Sequence, residues 1–120
     1  MESLGKVISI PAGADLSSAT EKFVVINSSG NVILPDAVTK LPVGILKNAP
    51  VTGEAAEVAI NGTSRVWLGA TLSPGDRVST GATGKAVAAA SGSYPMGILQ
   101  KGGADGEIGE VIMGSQTVDA

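Results

Sequence analysis

Apolar residues occur along the chain in short runs, which clusters of glycine, proline and small polar residues separate. Runs of this kind that are rich in Val and Ile predict short β-strands joined by tight turns. Two of the predicted hairpins carry a glycine in the turn, Gly30 in the first and Gly84 in the second. The strands predicted beside these turns are 24–27, 32–34, 77–79 and 85–88.

The remaining apolar runs predict further strands and almost no helix. The extended segments are 7–10, 57–60, 65–68 and 110–113, and the Asn61–Gly62 turn joins the second of these to the third. The sequence SATE at 18–21 resembles a helix capping box. At most one helical turn is expected there, because β-branched residues follow it.

The chain contains an internal repeat. The 24 residues from Pro42 align without a gap with the 24 residues from Pro95, and eight positions are identical. These positions are Pro42/Pro95, Gly44/Gly97, Ile45/Ile98, Leu46/Leu99, Gly53/Gly106, Glu54/Glu107, Glu57/Glu110 and Val58/Val111. Upstream, GADLS at 13–17 matches GATLS at 69–73, and the two hairpins match with Gly30 and Gly84 in register. The kept order of the blocks favours a duplication over chance similarity.

The repeated blocks predict the fold class. Pro42 and Pro95 are expected to open a strand, because proline has no N–H for a sheet. Gly44 and Gly97 within that strand predict a bulge or a close approach of two backbones. A few short strands cannot bury a face alone, so the two copies are expected to share one core. We therefore predict an all-β protein, a compact small barrel or sandwich with a pseudo-twofold internal duplication.

The repeat also predicts the domain organisation. A single β domain is expected at 13–120, with repeats at about 13–68 and 69–120, after an extended N-terminal arm at 1–12. An apolar arm outside the repeat predicts a strand that pairs with a neighbouring chain. The alternative is that the arm is the first strand of the chain's own barrel.

Six apolar or aromatic residues are predicted to contact a neighbouring chain. They are Leu4, Val7, Ile8, Ile10, Trp67 and Tyr94. The first four belong to the arm. Trp67 is expected in the core or in a subunit interface, and Tyr94 is expected to pack beside the turn at Pro95.

Composition excludes several classes of function. The 120 residues include no cysteine and no histidine, so the usual acyl-transfer triads and soft-metal sites are excluded. The net charge is −3 and the basic residues are scattered, which argues against binding to nucleic acid. The pairs Glu54/Glu57 and Glu107/Glu110 fall on opposite faces of a strand and are expected to be turn and edge charges. We predict no enzyme, no catalytic residue, no metal and no cofactor.

The N-terminal sequence contains no long apolar run. It therefore predicts neither a signal peptide nor a membrane span. Synthesis in the cytoplasm and no membrane partner are expected.

The second half of the chain carries a series of motifs. GAxLSxGDxV and GxAVAA lie within 69–89, and PxGIL and GExxEV follow at 95–99 and 106–111. In this order they resemble the small capsid decoration, or cement, proteins of tailed bacteriophages. The resemblance implies a structural virion protein that binds the outer surface of an expanded capsid as a homotrimer and stabilises it. The implied partners are the major capsid protein and further copies of the same chain.

A second class of function stays open. The alternative is a carbohydrate- or receptor-binding β-module on a virion. Sugar sites usually present exposed aromatic side chains, and Trp67 and Tyr94 are the candidates for that role.

Overall fold

A computed structural model describes residues 3–4, 6–36, 41–90 and 95–113, with residues 3 and 4 described through their backbone alone. These residues form eleven strands and no helix, so the predicted all-β class is confirmed. The strands are β1 (Ser3–Leu4), β2 (Val7–Pro11), β3 (Phe23–Ile26), β4 (Val32–Ile33), β5 (Gly44–Leu46), β6 (Ala55–Ala59), β7 (Gly62–Trp67), β8 (Arg77–Thr80), β9 (Ala86–Ala88), β10 (Gly97–Lys101) and β11 (Ile108–Met113). The segment 18–21 forms turns rather than the helical turn that SATE suggested.

The strands form two antiparallel sheets with the same internal order. One sheet runs β2-β6-β5-β3-β4, and the other runs β1-β7-β11-β10-β8-β9. Without β1, each strand of the first sheet has a counterpart at the same place in the second. The first repeat is therefore β2 to β6 and the second repeat is β7 to β11, which confirms the duplication inferred from the sequence.

Strand register places the expected arm inside the first repeat. Val7 lies opposite Ala59 in β6, as Thr63 lies opposite Ile112 in β11, so β2 is the counterpart of β7. The alternative interpretation is thus correct for Val7–Pro11, which belongs to the chain's own sheet. The physical reason is its alternating pattern, because Ile8 and Ile10 pack against the core of the first repeat while the alternate residues of the strand are exposed.

Gly44 and Gly97 occupy equivalent positions where two backbones approach closely. Gly44 lies opposite Val24 in β3, and Gly97 lies opposite Val78 in β8. A Cβ atom on Gly44 would overlap the carbonyl oxygen of Ala59, and one on Gly97 would overlap that of Ile112. The predicted close approach is confirmed, and it explains why PxGIL occurs twice.

The glutamates of the GE motif close equivalent turns. Gly53 and Gly106 have φ angles of 88° and 90°, which favour glycine. The Oε1 atom of Glu54 accepts a hydrogen bond from the Val51 N–H at 2.9 Å, and that of Glu107 accepts one from the Ala104 N–H at 2.8 Å. These two carboxylates are therefore turn charges, as expected.

The buried core consists of two clusters of side chains, to which the two repeats contribute unequally. One cluster lies within the first repeat and includes Val24, Leu46 and Val58. The other combines the second repeat with one face of the first repeat's sheet. That face presents Phe23, Ile45 and Ala59, all fully buried.

The corresponding face of the second repeat is not covered in the same way. Arg77 and Ile98 take the places of Phe23 and Ile45, and both are exposed. Ile112, which takes the place of Ala59, is half-buried. If a twofold axis related the repeats, each contact between them would occur twice. Among the described residues, the face with Phe23 and Ile45 packs on the other repeat, and the face with Arg77 and Ile98 has no equivalent contact.

Candidate interaction surfaces

The described part of the chain presents no cluster suited to chemistry. It contains no group of three or more His, Cys, Asp or Glu side chains that could hold a metal ion. Nor do these residues form a helix long and apolar enough to cross a membrane. The features that remain as candidates are exposed apolar surfaces, an open sheet edge and one buried ion pair.

The ion pair is centred on Glu21. Its Oε2 atom lies 3.2 Å from the Nζ of Lys47 and 3.1 Å from the Nε of Arg65. The Lys47 ammonium also donates to the Ser64 hydroxyl at 2.9 Å, and the Trp67 N–H donates to the Glu21 carbonyl at 2.9 Å. Since Lys47 follows β5 while Ser64, Arg65 and Trp67 belong to β7, the carboxylate joins the two repeats.

Sequence reasoning missed this role of Glu21. Its φ of 67° is left-handed, an uncommon conformation outside glycine. Gly75 of the second repeat occupies the same place, a match that the gap between GAxLS and the first hairpin hid in the sequence. The N–H groups of Glu21 and Gly75 donate to the carbonyls of Leu46 and Leu99, which are equivalent.

The predicted contact residues occur at several places in the fold. The backbone of Leu4 pairs with Gly62 at the edge of the second sheet. Val7 is exposed, whereas Ile8 and Ile10 are half-buried beside the first repeat's core. Trp67 is half-buried at the end of β7, and Tyr94 lies outside the described residues. Val7 and Trp67 thus belong to different sheets.

The residues of the repeated PxGIL motif are mostly structural. Backbone pairing begins directly after Pro42 and Pro95, since the Val43 and Met96 N–H groups donate to the carbonyls of Val24 and Val78. Both Leu46 and Leu99 are buried in the core. Ile45 and Ile98 differ, because the first is fully buried and the second is 36% exposed.

An apolar groove lies beside the hairpin of the first repeat. Its volume is about 770 Å³, and Val25, Ile26, Leu34, Leu41 and Val43 are among the lining residues. Ile26 is 42% exposed, whereas its counterpart in the second repeat, Thr80, is fully buried. Of these two equivalent residues, the apolar Ile26 is therefore exposed and the polar Thr80 is buried.

The two hairpin turns also differ in their surroundings. The turn at Gly84 packs on the first repeat, where the Gly84 carbonyl accepts a hydrogen bond of 2.7 Å from the Phe23 N–H. A Cβ on Gly84 would meet Lys22, Phe23 and Leu34, whereas one on Gly30 would meet nothing within 4 Å. The turn at Gly30 is thus open.

Comparison with solved structures finds a similar fold in two phage proteins. No family model matches the sequence, and no curated protein is significantly similar to it. The fold is similar to the N base of the head fibre gp8.5 of bacteriophage phi29, with a TM-score of 0.70 and 15% identity over 96% of this chain and 98% of that one. It is also similar to a chain in the capsid of Myoviridae phage XM1, with a TM-score of 0.70 and 20% identity over 94% and 85% of the two chains. Both similar structures come from phages, as do the decoration proteins that the sequence motifs resemble.

Proposed function

We propose that this chain is a structural virion protein that binds the outer surface of an expanded phage capsid as a trimer and stabilises it. The observation that carries the proposal is the shared fold with a phage head-fibre base and a phage capsid chain over nearly the full length of each. The motifs that resemble decoration proteins support it independently. The action proposed is physical rather than catalytic.

Stabilisation follows from multivalent binding. Each subunit contributes a modest contact to the capsid, and a trimer makes three such contacts at once. Linked contacts reinforce one another through effective concentration, so that weak individual contacts add up to tight binding. A trimer placed over the junction of neighbouring capsid proteins then opposes their separation.

The open edge of β2 is the proposed capsid-binding element. The Lys6 carbonyl accepts from the Ile60 N–H, and the Ala12 N–H donates to the Glu54 carbonyl. Because inward and outward backbone groups alternate along a strand, those of Val7 and Ser9 face away from β6. An edge strand with free backbone groups is a template on which another strand can pair.

The second repeat supports this interpretation. Its equivalent edge is occupied, because β1 pairs with β7 at Gly62 and Thr63, and the Trp67 N–H is bonded to Glu21. The edge of β2 has no such neighbouring strand among the described residues. We propose that an extended segment of the major capsid protein occupies it, with Val7 beside the contact.

A substitution at Ser9 tests the proposed docking. Ser9→Pro removes the outward N–H, and an outward-facing edge position is one where proline is tolerated. Ser9→Ala is the matched control, since both variants lose the 3.0 Å hydrogen bond from the Ser9 hydroxyl to Glu57. In co-sedimentation with expanded capsids, S9P is expected to bind at least tenfold more weakly than S9A, with equal thermal stability. Equal binding of the two variants would contradict β2 docking but would leave the decoration function intact.

The alternative, a carbohydrate- or receptor-binding module, has less support. It needs exposed aromatic side chains, and Trp67 is half-buried. Binding to glycans or host cells without binding to capsids would favour it.

A further inference from the structure

We propose that the capsid strand that pairs with the edge of β2 runs antiparallel to it and carries a lysine or arginine opposite Ser9. An apolar residue follows two positions later on that strand, opposite Val7. This inference names the chemistry of the partner and rests on the function and the β2 docking proposed above. A difference in charge between the two repeats carries the argument.

The second repeat shows how a carboxylate at this place is neutralised. Arg65 of β7 lies opposite Glu110, the counterpart of Glu57. Lys101 of β10 lies opposite Glu110 on its other side. Opposite charges on adjacent strands stabilise a sheet. The carboxylate of the second repeat therefore lies between two basic residues of its own chain.

The first repeat has no such cation at the edge. Ser9 takes the place of Arg65, since it lies opposite Glu57. The Ser9 hydroxyl donates to the Glu57 carboxylate at 3.0 Å, and no described residue forms an ion pair with Glu57. Lys47 lies on the other side, where its N–H donates to the Glu57 carbonyl, but its ammonium is directed to Glu21. The charge of Glu57 is thus available to a partner at the β2 edge.

A strand added to this edge would bring a side chain within reach of Glu57. The residue opposite Ser9 has its side chain on the same face of the sheet as Ser9 and Glu57, because directly opposite residues share a face. Neighbouring strands are about 4.8 Å apart, so the added backbone lies roughly 10 Å from β6. Ser9 is short and exposed, so a long basic side chain can pass it and meet the glutamate.

The direction of the added strand follows from the second repeat. There β1 pairs antiparallel with β7 at Gly62 and Thr63, and Thr63 is the counterpart of Val7. In an antiparallel partner, the residue opposite Val7 comes two positions after the residue opposite Ser9. Val7 is 40% exposed, so an apolar side chain opposite it gains buried area. In strand addition, alternate side chains of this kind provide the specificity.

A neutral substitution at Glu57 tests the proposed ion pair. Glu57→Gln keeps an acceptor for the Ser9 hydroxyl but removes the charge. Glu110→Gln is the matched control, because it removes the same charge beside an edge that β1 already pairs with. In co-sedimentation with expanded capsids at low salt, we expect E57Q to bind at least fivefold more weakly than wild type and E110Q to bind within twofold of it. The loss in E57Q should shrink as salt screens the charges. Equal effects of the two variants would overturn the inference.

A second pair of variants places the cation in the chain itself. Ser9→Arg gives the first repeat the residue that the second repeat has at Arg65, so that Glu57 is already paired and the incoming basic side chain is repelled. Ser9→Gln is the neutral control of a long side chain at the same place. We expect S9R to bind capsids at least tenfold more weakly than S9Q, with a thermal stability no lower. Equal binding of S9R and S9Q would contradict a basic partner.

The wild-type protein separates the two proposals in the same experiments. Wild-type protein that binds expanded capsids regardless of the charge at positions 57 and 9 overturns this inference alone. Wild-type protein that does not bind them overturns the proposed function. Loss of self-association in E57Q, with capsid binding retained, would assign the edge to another copy of this chain and would also overturn the inference.

Discussion

Glu21 takes the backbone position in the first repeat that Gly75 takes in the second, and both have a positive φ, 67° and 92° respectively. The second repeat meets this requirement with a glycine. The first meets it with a residue whose carboxylate binds Lys47 and Arg65. A strained conformation at this place is held by an ion pair that joins the two repeats.

The two partners of Glu21 are expected to contribute unequally to stability. The Lys47 side chain is 12% exposed and that of Arg65 is 53% exposed. Glu21→Gln removes the buried carboxylate that the Lys47 ammonium and the Arg65 guanidinium share, which should lower the free energy of unfolding by about 3 kcal/mol. Arg65→Gln breaks a solvated pair and should cost less than about 1 kcal/mol. Urea denaturation measures both, and a larger loss for R65Q than for E21Q would contradict the assignment.

The glycines of the PxGIL motif are expected to tolerate no side chain. Gly44→Ala and Gly97→Ala would each press a Cβ against a backbone carbonyl, and we expect a loss of about 2 kcal/mol or more. Gly53→Ala is the control, because it has a positive φ but open space around it and should cost about 1 kcal/mol. Thermal or urea unfolding compares them. Losses at Gly44 and Gly97 no larger than that at Gly53 would show that the close approach is not rigid.

Local sequence signals predicted the duplication but not its start. The PxGIL motif and the Gly-Glu pair of GExxEV occur in both repeats because their positions accept few residues. Only glycine fits where the two backbones approach closely, and the glutamate accepts a hydrogen bond that closes the turn. The first strands of the two repeats, Val7–Pro11 and Thr63–Trp67 within β7, have no identical residue at matching positions. The two strands share only their place in the sheet, beside β6 and β11 respectively. That place requires inward-facing side chains at alternate positions but does not require identical residues. The match from sequence therefore began one strand too late, near Gly13.

The contact between the repeats could not be read from either repeat alone. Which sheet face is covered depends on how the two repeats stack, and this is a property of the whole chain. Phe23 and Arg77 occupy equivalent positions, and only the stacking explains why one is a buried aromatic and the other an exposed cation. The left-handed Glu21 was hidden for a related reason, because a gap in the alignment separates GAxLS from the first hairpin.

The loop after β2 is expected to respond to acid through Asp15. Hydrogen bonds from the hydroxyl and the N–H of Ser17 hold the pKa of the Asp15 carboxyl below its usual 3.8. A lowered pKa means that the folded state favours the carboxylate. The resulting stabilisation is present above pH 3.8 and is lost as the pH falls through the folded value.

Removal of the Ser17 hydroxyl tests this effect. Ser17→Ala takes away the largest cause of the shift, so the pKa of Asp15 should rise toward 3.8. A titration followed by NMR at the Asp15 carboxyl carbon measures it in both proteins. An unchanged pKa in S17A would assign the shift to the backbone N–H instead.

The central claim, a decoration protein on the capsid surface, is tested most directly by imaging. Purified protein is added to expanded phage capsids that lack it, and the particles are reconstructed by electron cryomicroscopy. The account predicts density for three copies of this fold at each occupied position on the outer surface, bridging neighbouring capsid proteins. Capsids without added density, or with isolated copies that contact a single capsid protein, would contradict it.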